Sequence, residues 1–216
     1  MIIRVILADD HQIIRDGLRS LMENEPDIEV VGEANNGRVA VRMAQELQPN
    51  VVLMDITMPD LNGIEATRQI LAKTTGVKVL ALSMHSDEQF VAGVLGAGAS
   101  GYILKDCTLA ELVLAIRTVA MNQTYLSPRI TDVVVEGYVC HSANQTRSLS
   151  TLTPRECEVL QLIAEGKPVK EIAAALYVSH KTIEKHREQI MRKLKAHSVA
   201  ELTKYAIREG LTPLEN

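Results

Sequence analysis

The 216 residues suit one large domain or two small ones, and with no Trp and a single Phe the core has to be built from Val, Ile, Leu, Ala and Met. Cys107, Cys140 and Cys157 are scattered without a metal-ligand or C-x-x-C spacing, no signal-peptide pattern opens the chain, and no apolar stretch approaches about 18 residues; this argues against a secreted or membrane-spanning protein, and a cytoplasmic location is expected. The net charge of −4 is unevenly divided: residues 150–216 carry 11 Lys and Arg against 9 Asp and Glu, the rest 12 against 18, so an acidic front precedes a mildly basic tail, as in two domains with different partners.

Through residue 122, strand patterns alternate with helical ones. The strand patterns fall at 2–8, 28–32, 51–55, 77–83 and 101–104, and the helical ones at 12–24, 37–47, 63–73, 87–95 and 109–121. Asn62 with Glu65 and Thr108 with Glu111 mark helix starts. Five strands alternating with five helices predict an α/β fold with a doubly wound, five-stranded parallel sheet. The run Val51-Val52-Leu53-Met54 reads as a fully buried strand that lifts Asp55 to the rim of the sheet, where open α/β folds place their ligands. Asp9 and Asp10 end the first strand in the same way. Two like charges ~4 Å apart repel by roughly 4 kcal/mol at an effective dielectric of ~20, and a hard divalent cation such as Mg²⁺ relieves that repulsion. Ser83 after the fourth strand and Lys105 after the fifth reach the same edge. A carboxylate can attack a phosphoryl group, Mg²⁺ and a lysine neutralise the charge, and the Ser83 hydroxyl can bond a new phosphoryl oxygen.

Ala8-Asp9-Asp10-His11, Asp55 with Met58-Pro59, Leu82-Ser83-Met84-His85 and Gly101-Tyr102-Ile103-Leu104-Lys105-Asp106 resemble the flavodoxin-like receiver domain of bacterial two-component response regulators. The resemblance covers about 120 residues. It implies phosphorylation of Asp55 by a sensor histidine kinase, and Mg²⁺ bound by Asp9, Asp10, Asp55 and the backbone carbonyl of Thr57. It also implies a phosphoryl group held by Ser83 and Lys105, with Tyr102 as a switch aromatic that moves inward. Asp106 stands where many receivers have Pro. His11 and His85 read as local hydrogen-bonding groups.

Residues 123–150 are expected to be a linker, with Ser127-Pro128 at one end, a polar run at 141–146 and an undecided helix or strand at 129–139. From 152 the pattern is all helical. Thr153-Pro154-Arg155-Glu156 combines an N-cap, a first-turn proline and a capping-box Glu, and Gly166 ends that helix. A short helix at 170–176, a tight turn at 177–179 and a longer helix at 180–194 follow in helix-turn-helix order, and a last helix spans 198–208. In the longer helix Ile183, Ile190 and Leu194 face inward, and Lys181, Lys185, Glu188, Arg192 and Lys195 form a solvated stripe. Such a helix enters the major groove of double-stranded DNA.

This tail resembles the LuxR-type DNA-binding domain, and the whole chain a NarL/FixJ-type response regulator: receiver 1–122, linker 123–150, small all-α helix-turn-helix domain 151–216. By that resemblance Glu184, Lys185 and Glu188 face bases, while Lys181, Thr182, Arg187 and Arg192 contact phosphates. Leu202, Tyr205 and Ala206 form a dimer face, and the active protein is a homodimer on a pseudo-palindromic site. Pro168-Val169 and Ala196-His197 depart from the family pattern. The expected function is a phosphorylation-switched transcription regulator, not a metabolic enzyme. The rival readings are a Mg²⁺-dependent phosphohydrolase with Asp55 as nucleophile, and a regulator that binds DNA without phosphorylation.

Overall fold

The computed structural model describes residues 2–141 and 152–212, the side chains of 137–141 aside, so most of the polar run at 141–146 lies outside the described residues. The chain divides into two compact units, Met1–Gln145 and Thr146–Asn216.

In the first unit, β1 (Ile3–Ala8), β2 (Ile28–Ala34), β3 (Val51–Asp55), β4 (Lys78–Ser83) and β5 (Gly101–Leu104) alternate with α1 (Gln12–Met22), α2 (Gly37–Leu47), α3 (Gly63–Lys73), α4 (Glu88–Gly96) and α5 (Leu109–Ala120). The strands are parallel in the order β2-β1-β3-β4-β5, extended at the far edge by β6 (Tyr125–Leu126). The chain reverses its winding between β1 and β3, so their C-terminal ends flank the crevice where doubly wound sheets bind ligands.

Every side chain of β3 is buried, as its unbroken apolar run requires. Strand alternation divides the core between the two faces of the sheet. Val5, Leu7, Val51, Leu53, Leu80, Leu82 and Ile103 pack with α5 residues such as Leu112 and Ile116. Ile6, Ala8, Val52, Met54 and Val79 pack with Ala40, Val41, Ala44, Ala66 and Ile70 of α2 and α3. Toward the β6 edge, Ala81, Tyr102 and Leu104 share a third cluster with Val91 and Val94 of α4.

The sheet has six strands where five were expected, and the expected linker is partly structured. β6 is only two residues long, too short to show a strand period. It docks because Gly101 has no side chain: a Cβ there would lie 2.7 Å from the Tyr125 carbonyl. α6 (Pro128–His141) follows, starting at a proline as helices tolerate, and its Ile130 is fully buried in the Tyr102 cluster.

The second unit holds α7 (Pro154–Ala164), α8 (Val169–Ala175), α9 (His180–Leu194) and α10 (Val199–Arg208). Thr153 and Glu156 form the expected capping box. Val159, Leu160, Leu162, Ile163, Ile172, Ile183, Ile190, Leu202 and Ala206 make its core. Pro168 opens α8 as its N-cap, its carbonyl accepting from Glu171 N and Ile172 N at 2.9 and 3.1 Å, so this departure from the family pattern leaves the helix start intact.

One close approach fixes the phosphoacceptor candidate. Gly63 N donates to Ile56 O at 2.8 Å, and a Cβ on Gly63 would sit 2.0 Å from the Asp55 carbonyl. Backbone cannot swing aside as a flexible side chain can. Gly63→Ala is therefore expected to lower the stability of the first unit by about 1–3 kcal/mol, as overpacking does, measured as a fall in the urea midpoint.

Candidate functional site

Period two, carried to the strand ends and, for Asp9 and Lys105, one residue beyond, places the site residues. Asp9 continues the parity of Val5 and Leu7, Asp55 that of Val51 and Leu53, and Lys105 that of Ile103, so all three continue the α5-facing rows to the same sheet edge. Ser83 continues the parity of Val79 and Ala81, and Tyr102 lies on the same face as Ala81.

Lys105 Nζ sits 2.8 Å from Asp55 Oδ2 and 2.7 Å from Asp9 Oδ2, with all three side chains almost wholly buried. Asp55 Oδ1 accepts from Thr57 N at 3.4 Å. Burial, helped by the neighbouring Asp9 charge, pushes the Asp55 carboxyl up to about 6 against the opposing pull of Lys105 and Thr57 N. Burial pushes Lys105 down, but the two carboxylates outweigh it and its pKa ends above the usual lysine value.

Asp10 is more open, its side chain 31 % exposed. His11, expected as a local hydrogen-bonding group, is one: its backbone N donates to Asp9 Oδ1 at 2.8 Å, and its Nδ1 lies 3.1 Å from Asp9 Oδ1 and 2.9 Å from Asp10 Oδ1. Asp9, Asp10, His11 and Asp55 can each bring one ligand atom within 4.8 Å of the others. Asp9 Oδ2 is buried and has no aligned hydrogen-bond donor, only the Lys105 ion pair. Hard carboxylate oxygens with one bare lone-pair site suit a hard divalent cation. Arg15 was not singled out from sequence; its Nη1 donates to the Asp9 carbonyl at 2.6 Å, bracing the end of β1. The spacing of Arg15 six residues after Asp9, one turn into α1, was the available signal.

Ser83 is fully buried, and its Oγ accepts from His85 N at 3.1 Å. Tyr102 is expected to move inward on switching; instead it already lies inside, with its Oη donating to His85 O at 2.7 Å. Burial pushes its phenol up to about 12. The His85 ring stacks on Phe90 at 4.3 Å between centroids, which anchors the loop carrying Tyr102's acceptor to α4.

In the second unit Lys181, Lys185, Glu188, Arg192 and Lys195 are all exposed along α9, as is Glu184, while Thr182 and Arg187 are half-buried. Ser179 caps the helix by accepting from Thr182 N at 3.2 Å. Ile183 and Ile190 face inward. Arg155 Nη2 donates to Leu176 O at 2.6 Å, tying the end of α8 to α7. Lys193 Nζ pairs with Glu156 Oε2 at 2.6 Å, so this basic residue of α9 fastens the helix to the α7 cap. Burial pushes the Glu156 carboxyl up, yet the bonds from Lys193 and Thr153 outweigh it and hold it below the usual range.

The dimer face read from sequence on α10 needs correction. Leu202 and Ala206 are fully buried in the unit's own core, and Tyr205 is half-buried against it with Arg208 over its ring. Leu202 and Ala206 have no exposed surface to offer a partner, whereas Val199 of α10 is exposed and Tyr205 half-buried, so only Leu202 and Ala206 leave the dimer face.

Residues 5–117 match the family model described as the response regulator receiver domain, and residues 150–206 the model described as bacterial regulatory proteins of the luxR family. The chain is 37 % identical over 222 residues to the transcriptional regulatory protein DegU of Brevibacillus brevis, covering 96 % of this chain and 94 % of that one. It is 40 % identical over 209 residues to the transcriptional regulatory protein LiaR of Bacillus subtilis (strain 168), covering 97 % and 99 %. A solved structure of two RcsB dimers bound to two parallel DNAs is similar at 27 % identity and a TM-score of 0.58, over 95 % of this chain and 98 % of that one.

The raised carboxyl of Asp55 makes stability depend on pH in a stated direction. Its folded pKa of about 6 exceeds the ordinary 3.8, so its favourable contribution is complete below pH 3.8 and is lost as pH rises through 6. Asp55→Asn is expected to stabilise the first unit by about 1–3 kcal/mol at neutral pH, the upper end being two pKa units and the lower end allowing for Lys105 losing a partner. The gain should shrink toward zero near pH 4, as followed by urea denaturation across pH.

Proposed function

This chain belongs to the bacterial response regulators that join a receiver domain to a LuxR-type DNA-binding domain, and on that premise we propose that it is a transcription regulator of a two-component system switched by phosphorylation of Asp55. The observation that carries the reading is the single Lys105 ammonium shared by two buried carboxylates, Asp9 and Asp55. A cation held between two acids is poised to follow new negative charge.

Asp55 is the nucleophile. Its carboxylate oxygen attacks the phosphorus of a phosphohistidine on a partner sensor kinase; the O–P bond forms, the P–N bond breaks and the histidine nitrogen leaves. Asp9, Asp10, Asp55 and the Thr57 carbonyl would hold Mg²⁺, and a divalent cation there would supply positive charge to offset that of the phosphoryl oxygens. Lys105 gives up part of its pairing with Asp55 to bind the phosphoryl group. Ser83 turns its hydroxyl from His85 N toward the same group, and Tyr102 reports the change through its bond to His85 O. The protein thus takes part in its own phosphorylation and dephosphorylation without turning over a metabolite.

The receiver spans 1–122, closed at its edge by β6 and α6, and the DNA-binding domain spans 151–216. In α9, Lys181, Thr182, Arg187 and Arg192 contact phosphates, while Glu184, Lys185 and Glu188 face bases. The active form is a homodimer on a pseudo-palindromic site, a reading supported by RcsB dimers on DNA; Leu202 and Ala206 have no part in the interface. A DNA-binding role is consistent with a cytoplasmic location, and among the described residues no helix is long and apolar enough to cross a membrane.

Beryllofluoride with Mg²⁺, a mimic of the phosphoryl group, is expected to promote dimerisation and tighten sequence-dependent DNA binding by about 5–150-fold, the range of typical allosteric coupling. Asp55→Asn abolishes the response in the same titration. Equal binding by wild type with and without the mimic would sink the scheme.

Two neighbouring basic residues should behave differently in the binding assay. Arg192→Ala is expected to reduce the salt slope of DNA binding by about one, as loss of a phosphate contact does. Lys193→Ala leaves the slope unchanged and lowers the melting temperature, because its charge is engaged by Glu156.

A further inference from the structure

The segment after α5 does more than close the sheet. Ser127 N donates to the Tyr102 carbonyl at 3.1 Å, while the Ser127 carbonyl accepts from Ile130 N and Thr131 N, both at 2.9 Å. One residue therefore stands between the backbone of the switch tyrosine and the first turn of α6. The side chains repeat the connection. Ile130 is fully buried in the cluster that holds Tyr102, Val91 and Val94, with Val133 and Val134 packed against it. Asp106, the residue after Lys105 where many receivers have Pro, pairs with Arg129 of α6 at 3.2 Å. That ion pair is about two-thirds exposed on both sides and adds little energy, but it ties the loop after Lys105 to the same helix.

We propose that residues 125–134 are an output strap: α6 docks on α4 and Tyr102 of its own chain and loosens when the Asp55 site is phosphorylated. The inference rests on Asp55 being the phosphoacceptor. When Ser83 turns toward the phosphoryl group, His85 N loses its acceptor and the loop that carries Tyr102's acceptor shifts. That loop runs into α4 through the His85–Phe90 stack. The cluster is already close-packed, with Tyr102 and Ile130 both at 0 % exposure, so displacement of α4 can only open it. α6 leads along the chain toward the DNA-binding domain, so its release changes the tether of α9.

The test is hydrogen–deuterium exchange of the full-length protein with Mg²⁺, with and without beryllofluoride, with bound beryllofluoride counted by fluorine NMR. The mimic is expected to speed exchange in residues 128–136 of wild type about tenfold. Ile130→Ala should show that faster exchange without the mimic and cut the mimic's effect on DNA affinity to less than about twofold, against the typical range of coupling. Ile130→Val, which removes one methylene, should keep most of both responses while binding the mimic normally. Unchanged or slower exchange of 128–136 in wild type with the mimic bound overturns the strap and leaves the Asp55 reading standing. Undiminished coupling in a folded Ile130→Ala does the same. No bound beryllofluoride in wild type overturns both.

Discussion

The receiver depends on one arrangement, a lysine ammonium held between two buried carboxylates. Asp9 and Asp55 come from different strands, and neither can be hidden beside the other without a cation. Lys105 supplies one from a third strand, and so couples the ends of β1, β3 and β5. The balance is incomplete: burial still raises the Asp55 carboxyl, and Asp9 Oδ2 still lacks an aligned donor. A site left short of positive charge in this way holds its lysine firmly and still has room for a second cation, whose arrival would loosen the Lys105 pairing.

The DNA-binding domain uses an ion pair for a different end. Glu156 caps α7 and receives Lys193 of α9, so α9 is fixed to the scaffold that Arg155 also ties to α8. Here the charges hold an orientation. With Lys193 engaged, the stripe of Lys181, Lys185, Arg192 and Lys195 remains exposed on a helix whose pitch the core has set.

What the sequence disclosed follows from where a signal is local. Asp55 at the end of a four-residue apolar run, Asp9 after β1 and Lys105 after β5 were legible because period two and strand ends are local properties. The capping boxes at Thr108 and Thr153 were legible for the same reason. β6 was not, since two residues carry no period and its docking depends on Gly101 of another strand. Nor was the burial of Ile130, because only the folded receiver supplies the pocket that accepts it. The reading of Leu202 and Ala206 as a dimer face failed for a related reason. An amphipathic helix states that one stripe will be covered, and it leaves open whether the cover comes from its own chain or from another. The position of Tyr102 likewise depends on the carbonyl of His85, seventeen residues away.

The strand parity that divides the sheet has a consequence for how such a protein can diverge. Asp9, Asp55 and Lys105 follow one set of rows, while Ser83 and Tyr102 follow the other, next to α4 and α6. Substitutions on the α4–α6 side, Ser83 excepted, would change the packing around Tyr102 while leaving the ion pairs of Lys105 with Asp9 and Asp55 in place. Substitutions near Asp9, Asp55 and Lys105 would act first on the charge balance of that edge and leave the Tyr102 cluster packed as it is. Charge and packing are thus separately adjustable. One scaffold can acquire new physiological responses by drift on one side of its sheet while the other is held constant by chemistry.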